Sequence, residues 1–437
     1  MVIKRDIYLN QLIRKMHNGR IKIVTGIRRC GKSFLLTHLF KDFLLSNGIR
    51  EDQIIEIALD KKEFDDLRNP NMLYAYILER TKENKPYYVF IDEIQLSYRI
   101  KKPDIDESQI PEEDRDLIYT TFYDILNDLM SRPNLDIYVT GSNSKLLSKD
   151  VATNFRDRGV EIELHPLSFA EYYSVAKKEK ADAFEDYLIY GGMPLAVLEE
   201  DEREKAKYLS ELFEKVYIAD VIERYGVVDT YVENLVDVLS SAIGSLTNPS
   251  KLANTLNTVN HAGTTDKTVK KYLDILEDAF LFHKAKRYDV KGKTYMDSPV
   301  KYYSEDIGLR NARLNFRQTE KTHLMENIIF NELIRRGYAV DIGVVKFAEM
   351  VNGKKTEKQH EIDFVVNNGD KKIYIQSAYD ITDEDKKKQE IKPLLHSKDF
   401  FKKIVVVGGN QKPRMDENGI SYIGIIPFLL DNNSLNG

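Results

Sequence analysis

This sequence predicts an α/β fold: short apolar strands and helices alternate first, a mostly helical middle follows, and a smaller α/β segment closes the chain. Three observations carry that expectation. Residues 21–25 (IKIVT), 87–91 (YYVFI) and 136–139 (DIYV) are brief, strand-length apolar runs, and each leads directly into glycine, acidic or hydroxylated residues. A helical pattern, FLLTHLFKDFLL, follows the first run and stops at Ser46-Asn47-Gly48. From about Lys205 to Val300 the apolar residues are mostly spaced as on helices, and short strand-like runs then return.

Length and composition narrow the class. A chain of 437 residues is too long for one ordinary core and implies two or three domains. With 42% hydrophobic and 31% charged residues it reads as globular. The 65 Lys+Arg against 70 Asp+Glu leave a net charge of -5, which gives no overall argument for a nucleic-acid partner. The one cysteine, Cys30, excludes an internal disulfide framework. No apolar run approaches the roughly 18 residues of a membrane helix, and MVIKRDIYLN does not read as a signal peptide, so the expected address is the cytoplasm.

The first strand runs into Gly26-Ile27-Arg28-Arg29-Cys30-Gly31-Lys32-Ser33, which fits G-x-x-x-x-G-K-[ST] at every fixed position. Its strand–loop–helix setting is the one that a phosphate-binding loop requires. The glycines let the backbone curl so that N–H groups face phosphates at the positive end of the following helix. Residues 26–34, Phe34 included, are therefore the expected ATP-binding residues. Lys32 reaches the β- and γ-phosphates, and the Ser33 hydroxyl is a ligand for Mg2+.

The second strand ends in Asp92-Glu93, the arrangement called Walker B. Asp92 is expected to hold Mg2+ and Glu93 to polarise the attacking water. The third strand ends in Thr140-Gly141-Ser142-Asn143-Ser144, where a polar side chain can contact the γ-phosphate or the water. Asn143 is the first choice for that role and Ser142 the second; ordinary turn and cap chemistry is the alternative for both.

Later segments are less specific. RIKKPDIDESQIPEEDRD, from Arg99 to Asp116, reads as an exposed insertion, either simply solvated or in touch with a protein partner. Pro249 opens one short helix. Thr265-Asp266 caps another, on which Val269, Tyr272, Leu273, Leu276 and Phe280 share a side. With the strand-like LFHKAKRYDV and TYMDSPVKYYSED behind them, these helices suggest a winged helix–turn–helix. Lys267, Lys270 and Lys271 lie on its free face, either as phosphate contacts or, more in keeping with the balanced charge, as a solvated face. Lys386, Lys387 and Lys388 read as solvent-facing.

With these motifs in view, the sequence resembles prokaryotic AAA+-type ATPases that carry a C-terminal domain of unknown function. The matching stretches are IVTGIRRCGKSFLL, VFIDEIQ, VTGSNSKLLS, RGVEIELHPLSFAEYY and YGGMPLAV. The resemblance gives the Asn143 position the sensor role of AAA+ proteins. It also implies an arginine finger at Arg158 or Arg156, usually acting in a neighbouring subunit of a homo-oligomer. The glycine that normally precedes this arginine is displaced here, and an ion pair with Glu161 or Glu163 is the alternative. Gly192-Met193-Pro194 is similar to a Gly-x-Pro element that packs near the nucleotide, or is a plain helix–helix turn.

The C-terminal segment resembles the restriction-endonuclease-like fold. Glu326, Asp363 and the strand KKIYIQSAY match it, but Gln376-Ser377-Ala378 stands where active members have Glu-x-Lys. That resemblance therefore implies a nuclease site without its lysine and second acid, and no cleavage. The expected division is an AAA+-like domain at 1–175, a helical and winged-helix domain at 176–310 and an endonuclease-like domain at 311–437. The expected function is Mg2+-dependent ATP hydrolysis that drives a switch. A nucleotide-gated DNA- or RNA-binding protein and, further behind, an ATP-driven nuclease are the alternatives.

Overall fold

The computed structural model describes residues 2–82, 85–103, 105, 110–112, 115, 118–141, 158–227, 229–260, 263–351, 354–369 and 371–435. They fall into two compact units, Met1–His165 and Pro166–Gly437.

The first unit contains, in order, α1 (Asp6–Lys15), β1 (Ile21–Thr25), α2 (residues 32–46), β2 (Ile54–Ala58), α3 (Pro70–Arg80), β3 (Tyr87–Asp92), β4 (Ile100–Lys101), β5 (Tyr119–Thr120), α4 (Phe122–Leu129), β6 (Leu135–Thr140) and β7 (Gly159–Glu163). Five of these strands form one parallel sheet in the order β2–β3–β6–β1–β7. The three apolar runs read from the sequence are its central strands. They are continuous in hydrophobicity because helices cover both faces. On one face Leu73 and Ile77 of α3 and Ile125, Leu126 and Leu129 of α4 pack on Ile23, Val89, Ile91 and Val139. On the other, Phe40 of α2 meets Phe90 and Tyr138 at ring distances of 5.7 and 4.9 Å.

Near the N-terminal ends of the strands this core holds a polar cluster. Lys22 Nζ donates to Asp136, which also accepts from Tyr138 Oη at 2.7 Å and from the His17 amide at 3.0 Å. Burial pulls the Lys22 pKa down while Asp136 opposes it. The Arg99–Asp116 insertion is only partly described; its flanks pair as the short antiparallel ribbon β4–β5.

The second unit begins with α5 (Phe169–Tyr173), α6 (Lys180–Tyr190), α7 (Pro194–Leu198), α8 (residues 202–225), α9 (Asp229–Ser241), α10 (Pro249–Asn260) and α11 (Asp266–Asp278). There follow β8 (Phe282–Asp289), β9 (Thr294–Ser304), α12 (Ile307–Arg313), α13 (Lys321–Arg335), β10 (Ala339–Val351), β11 (Lys354–Asn368), β12 (Lys371–Ala378), α14 (Glu384–His396), β13 (Lys402–Val407), β14 (Arg414–Met415), β15 (Ile420–Gly424) and α15 (Ile425–Leu430).

Thr265 caps helix α11, Val269, Tyr272, Leu273 and Leu276 are buried on it, and Lys267, Lys270 and Lys271 are exposed. Phe280 is buried too but does not share the helix, which ends at Asp278; it lies beyond that end at φ +56°. The strands after it do form a hairpin, β8–β9, but that hairpin is not a free wing. β8 also pairs in parallel with β10, from Ile342↔Arg287 to Val344↔Asp289. One mixed sheet of eight strands results, ordered β14–β15–β13–β12–β11–β10–β8–β9. It runs across residue 310, where the sequence suggested a boundary. The edge N–H and C=O groups of β8 must be paired somewhere, and nothing local in the sequence names a partner some fifty residues away. The long β10–β11 hairpin was also illegible beyond Ile362–Val366, because residues 346–360 are largely polar.

Candidate functional site

At the C-terminal end of β1 the backbone turns through Gly26, at φ +132°, and Gly31, at φ +104°. A methyl group on Gly26 would lie 2.1 Å from the Leu164 carbonyl oxygen, so no other residue fits there. Helix α2 begins at Lys32 and leaves its first N–H groups without helical partners, which is the basis of anion binding at such a loop. Lys32 is 4% exposed, and its Nζ donates to the Gly26 and Ile27 carbonyls at 2.9 and 3.0 Å. The ammonium therefore lies across the loop.

The loop is braced from outside. Arg5 donates to the Cys30 carbonyl at 3.1 Å and to the His165 carbonyl at 2.6 Å, and the Cys30 thiol points to the Leu164 carbonyl at 3.2 Å. Ile27 and Cys30 are buried, Arg28 and Ser33 half-buried and Arg29 exposed, and Phe34 stacks on His38 with ring centroids 4.5 Å apart.

Strand β6 lies between β1 and β3 in the sheet, so its last residue stands beside both motif strands. That residue is Thr140, fully buried, and sequence reasoning passed over it in favour of the residues behind it. Its hydroxyl donates to Asp92 Oδ1 and accepts the Glu93 amide at 3.0 Å. One side chain thus fixes the carboxylate of the first acid and the backbone of the second. Glu93 leaves the strand in the left-handed region at φ +53°, and its carboxylate accepts from Gln95 Nε2. The Ser33 hydroxyl and the Asp92 carboxylate are hard oxygen donors, a donor set that suits Mg2+.

Ser142, Asn143 and Arg156 lie outside the described residues. Arg158 is exposed, and its carbonyl accepts the Ile21 amide at 2.9 Å, at the beginning of β1. It therefore sits roughly 13 Å along the strand from Thr25, at the end of the sheet opposite the phosphate loop. The fold does not bring it to the nucleotide site of its own chain. Glu161, one of its suggested ion-pair partners, accepts from Thr25 Oγ1 at 2.7 Å.

In the second unit Gly192 and Pro194 form the turn between α6 and α7. The Gly192 amide donates to Asp306 Oδ2 at 2.7 Å, and Asp306 also caps α12 through the Leu309 amide at 3.0 Å. Burial pushes the Asp306 carboxyl up to about 6 against the pull of these amides.

Glu326 and Asp363 are both buried, and they share an ion cluster the sequence did not reveal. Lys301, on β9, donates to Glu326 at 2.9 Å and to Glu361 at 2.7 Å, while Tyr303 Oη donates to Glu326 at 2.7 Å. Burial favours the neutral form of Lys301, but Glu326, Asp363 and Glu361 more than reverse this and hold its pKa above the ordinary value. Asp363 takes the Ser377 amide at 2.8 Å, and burial, then Glu326, raises its pKa well above the carboxylate range. Gln376 Nε2 donates to Glu390 at 3.0 Å, and its Oε1 accepts the Asp363 amide at 3.4 Å. An internal ammonium thus bridges Glu326 and Glu361. Nothing in the sequence marked Lys301, because its partners are distant in sequence.

A parallel five-stranded sheet with a phosphate loop after β1 and paired acids at the end of β3 is the arrangement of a P-loop NTPase domain of the AAA-like class. Comparison with known proteins agrees: residues 18–173 match the model of an AAA domain, and residues 181–320 and 321–428 match two domains of unknown function, DUF8612 and DUF4143. An uncharacterized protein of Haemophilus influenzae is 34% identical over 98% of this chain and 99% of its own length. An uncharacterized protein of Methanocaldococcus jannaschii is 30% identical over 90% of this chain and 80% of its own. The chain belongs to the family of these two proteins. Among solved structures, the Walker-type ATPase PABY2304 of Pyrococcus abyssi overlaps 72% of this chain and 96% of its own at 15% identity, with a TM-score of 0.46. Among the described residues no helix is long and apolar enough to cross a membrane.

Proposed function

We propose that the protein binds ATP with Mg2+ between the phosphate loop and the Asp92–Glu93 strand end, hydrolyses it, and uses the nucleotide cycle as a switch. The observation that carries this reading is the Thr140 hydroxyl, which couples the two acids at the carboxyl end of the sheet, the end that also carries the loop. The α2 amides and Lys32 would hold the phosphates; on ATP binding, Lys32 exchanges the Gly26 and Ile27 carbonyls for phosphate oxygens. Ser33 and Asp92 would hold the Mg2+, which when bound neutralises charge on the phosphates. Glu93 would then orient a water and accept its proton, with its carboxylate steered by Gln95. The position of Arg158 favours action on a neighbouring subunit and hence a homo-oligomer.

The test is steady-state ATP hydrolysis beside ATP binding. Glu93→Gln is expected to bind ATP and to lose turnover; wild-type rates in that variant would overturn the assignment. Mixing Arg158→Ala with Glu93→Gln subunits is expected to restore activity if the arginine acts in trans.

A further inference from the structure

The second unit carries a surface that its fold does not explain. Phe400 and Phe401, the two residues before β13, are 107% and 41% exposed, and Tyr295 on β9 is 60% exposed. Full exposure of a phenylalanine contributes nothing to a core and is costly in water, so adjacent exposed rings mark an interaction site. They are not scattered. Lys372 Nζ lies 4.8 Å from the Tyr288 ring centroid and 5.3 Å from that of Phe401, so this ammonium stands between the two rings. Tyr288 in turn meets Tyr295 at 5.3 Å, and Tyr295 Oη donates to Asp341 at 3.0 Å. Lys286 and Lys372 are the cations that face Asp341.

The topology explains the gathering. β12 and β13 are parallel neighbours with Ile373 opposite Lys402, so the Lys371–Lys372 and Lys402–Lys403 pairs open adjacent strands at the same end of the sheet. Of the acids there, Asp399 is taken by Tyr374 and Lys403, and Asp341 is nearly buried. The result is a patch in which the exposed Tyr295, Phe400 and Phe401 rings and the half-buried Tyr288 ring surround the Lys372 ammonium, with the exposed Lys371 beside it.

We propose that this patch, built on Tyr288, Tyr295, Lys372, Phe400 and Phe401, binds single-stranded nucleic acid. Unpaired bases offer flat faces for the rings and phosphates for the lysines, whereas a duplex hides its base faces within the stack. The ring–cation–ring order suits a strand that alternates bases with charge, and neither the near-neutral chain as a whole nor the α11 lysines accounts for it. The site is independent of the ATP reading and is tested without ATP.

The experiment is fluorescence anisotropy of a labelled oligodeoxythymidine of about 20 nucleotides with the full-length protein at about 0.1 M salt. A Phe400→Ala/Phe401→Ala double variant should bind at least about tenfold more weakly, with unchanged circular dichroism, because both rings are outside the core. The same double variant should bind an abasic oligomer of equal length as wild type does, since only the lysines would be engaged. A Phe400→Trp variant should retain binding, with its fluorescence quenched by the oligomer. Absence of binding by wild type would overturn the proposal. Equal affinity in the double variant, or loss of affinity only on Lys267→Glu/Lys270→Glu/Lys271→Glu substitution, would do so too. Co-sedimentation with vesicles containing phosphatidylserine, lost in the double variant while oligomer binding is absent, would assign the patch to a membrane surface instead. Self-association lost in that variant without oligomer binding would assign it to a second copy of the chain.

Discussion

Replacing Thr140 by valine removes one hydroxyl and keeps the branched shape, so the fully buried end of β6 should fold as before. What is lost is the donor to Asp92 Oδ1 and the acceptor for the Glu93 amide. Hydrogen bonds to a charged group contribute about 1.5–3 kcal/mol, and a buried amide left without a partner costs about 1–3 kcal/mol. The carboxylate and the amide can both turn toward water at the open end of the sheet, so only part of the sum should be felt. About 2–3 kcal/mol in the barrier corresponds to a roughly 30- to 150-fold fall in turnover. Binding of ATP rests on the phosphate loop, which Thr140 does not touch, so the nucleotide affinity measured by titration calorimetry should change little. Thr140→Ser should recover most of the rate, because the hydroxyl returns. A Thr140→Val enzyme within about twofold of wild type would refute the coupling role. So would a variant that loses ATP affinity and turnover together, since that would place Thr140 in general support of the loop.

Three further outcomes are expected. Gly26→Ala must move either the loop or the Leu164 carbonyl by about 1 Å and hold alanine at positive φ, a strain of about 1–3 kcal/mol; ATP affinity should fall at least about tenfold, and unchanged affinity in calorimetry would contradict the close approach. Asp306, pushed up to about 6 by burial, binds its proton more tightly folded than unfolded. Its contribution is therefore full below the ordinary carboxylate range and lost as pH rises through about 6, a change of about 2 kcal/mol between pH 4 and 7 that should be missing in Asp306→Asn when urea unfolding is compared at those two pH values. Lys301→Met leaves Glu326 and Glu361 without their ammonium and should cost about 3–5 kcal/mol in denaturant midpoint terms, partly recovered by adding Glu326→Gln; a neutral single variant would show that the cluster is solvated.

The sequence by itself determined the phosphate loop, the three central strands of the first sheet and the two acids after β3. Each is local information: a fixed spacing of glycines, a lysine and a serine, or an apolar run closed by charge, is imposed by backbone geometry within a few residues. The amphipathic pattern of α11 was legible for the same reason, since 3.6 residues per turn place Val269, Tyr272, Leu273 and Leu276 together wherever the helix lies.

Tertiary structure decided everything that depends on strand order and register. Thr140 reads as one more turn residue until β6 is seen between β1 and β3. Arg158 reads as a candidate finger for its own or a neighbouring subunit until the parallel register of β7 on β1 puts it at the end of the sheet away from its own phosphate loop. Lys301 joins Glu326 and Glu361 only because β9, α13 and β11 converge from positions 25 and 60 residues apart. Lys372 likewise meets the Tyr288 and Phe401 rings only in the folded sheet. Pairing between distant strands is set by the summed burial and hydrogen bonding of the whole sheet, and no short window of sequence carries that sum.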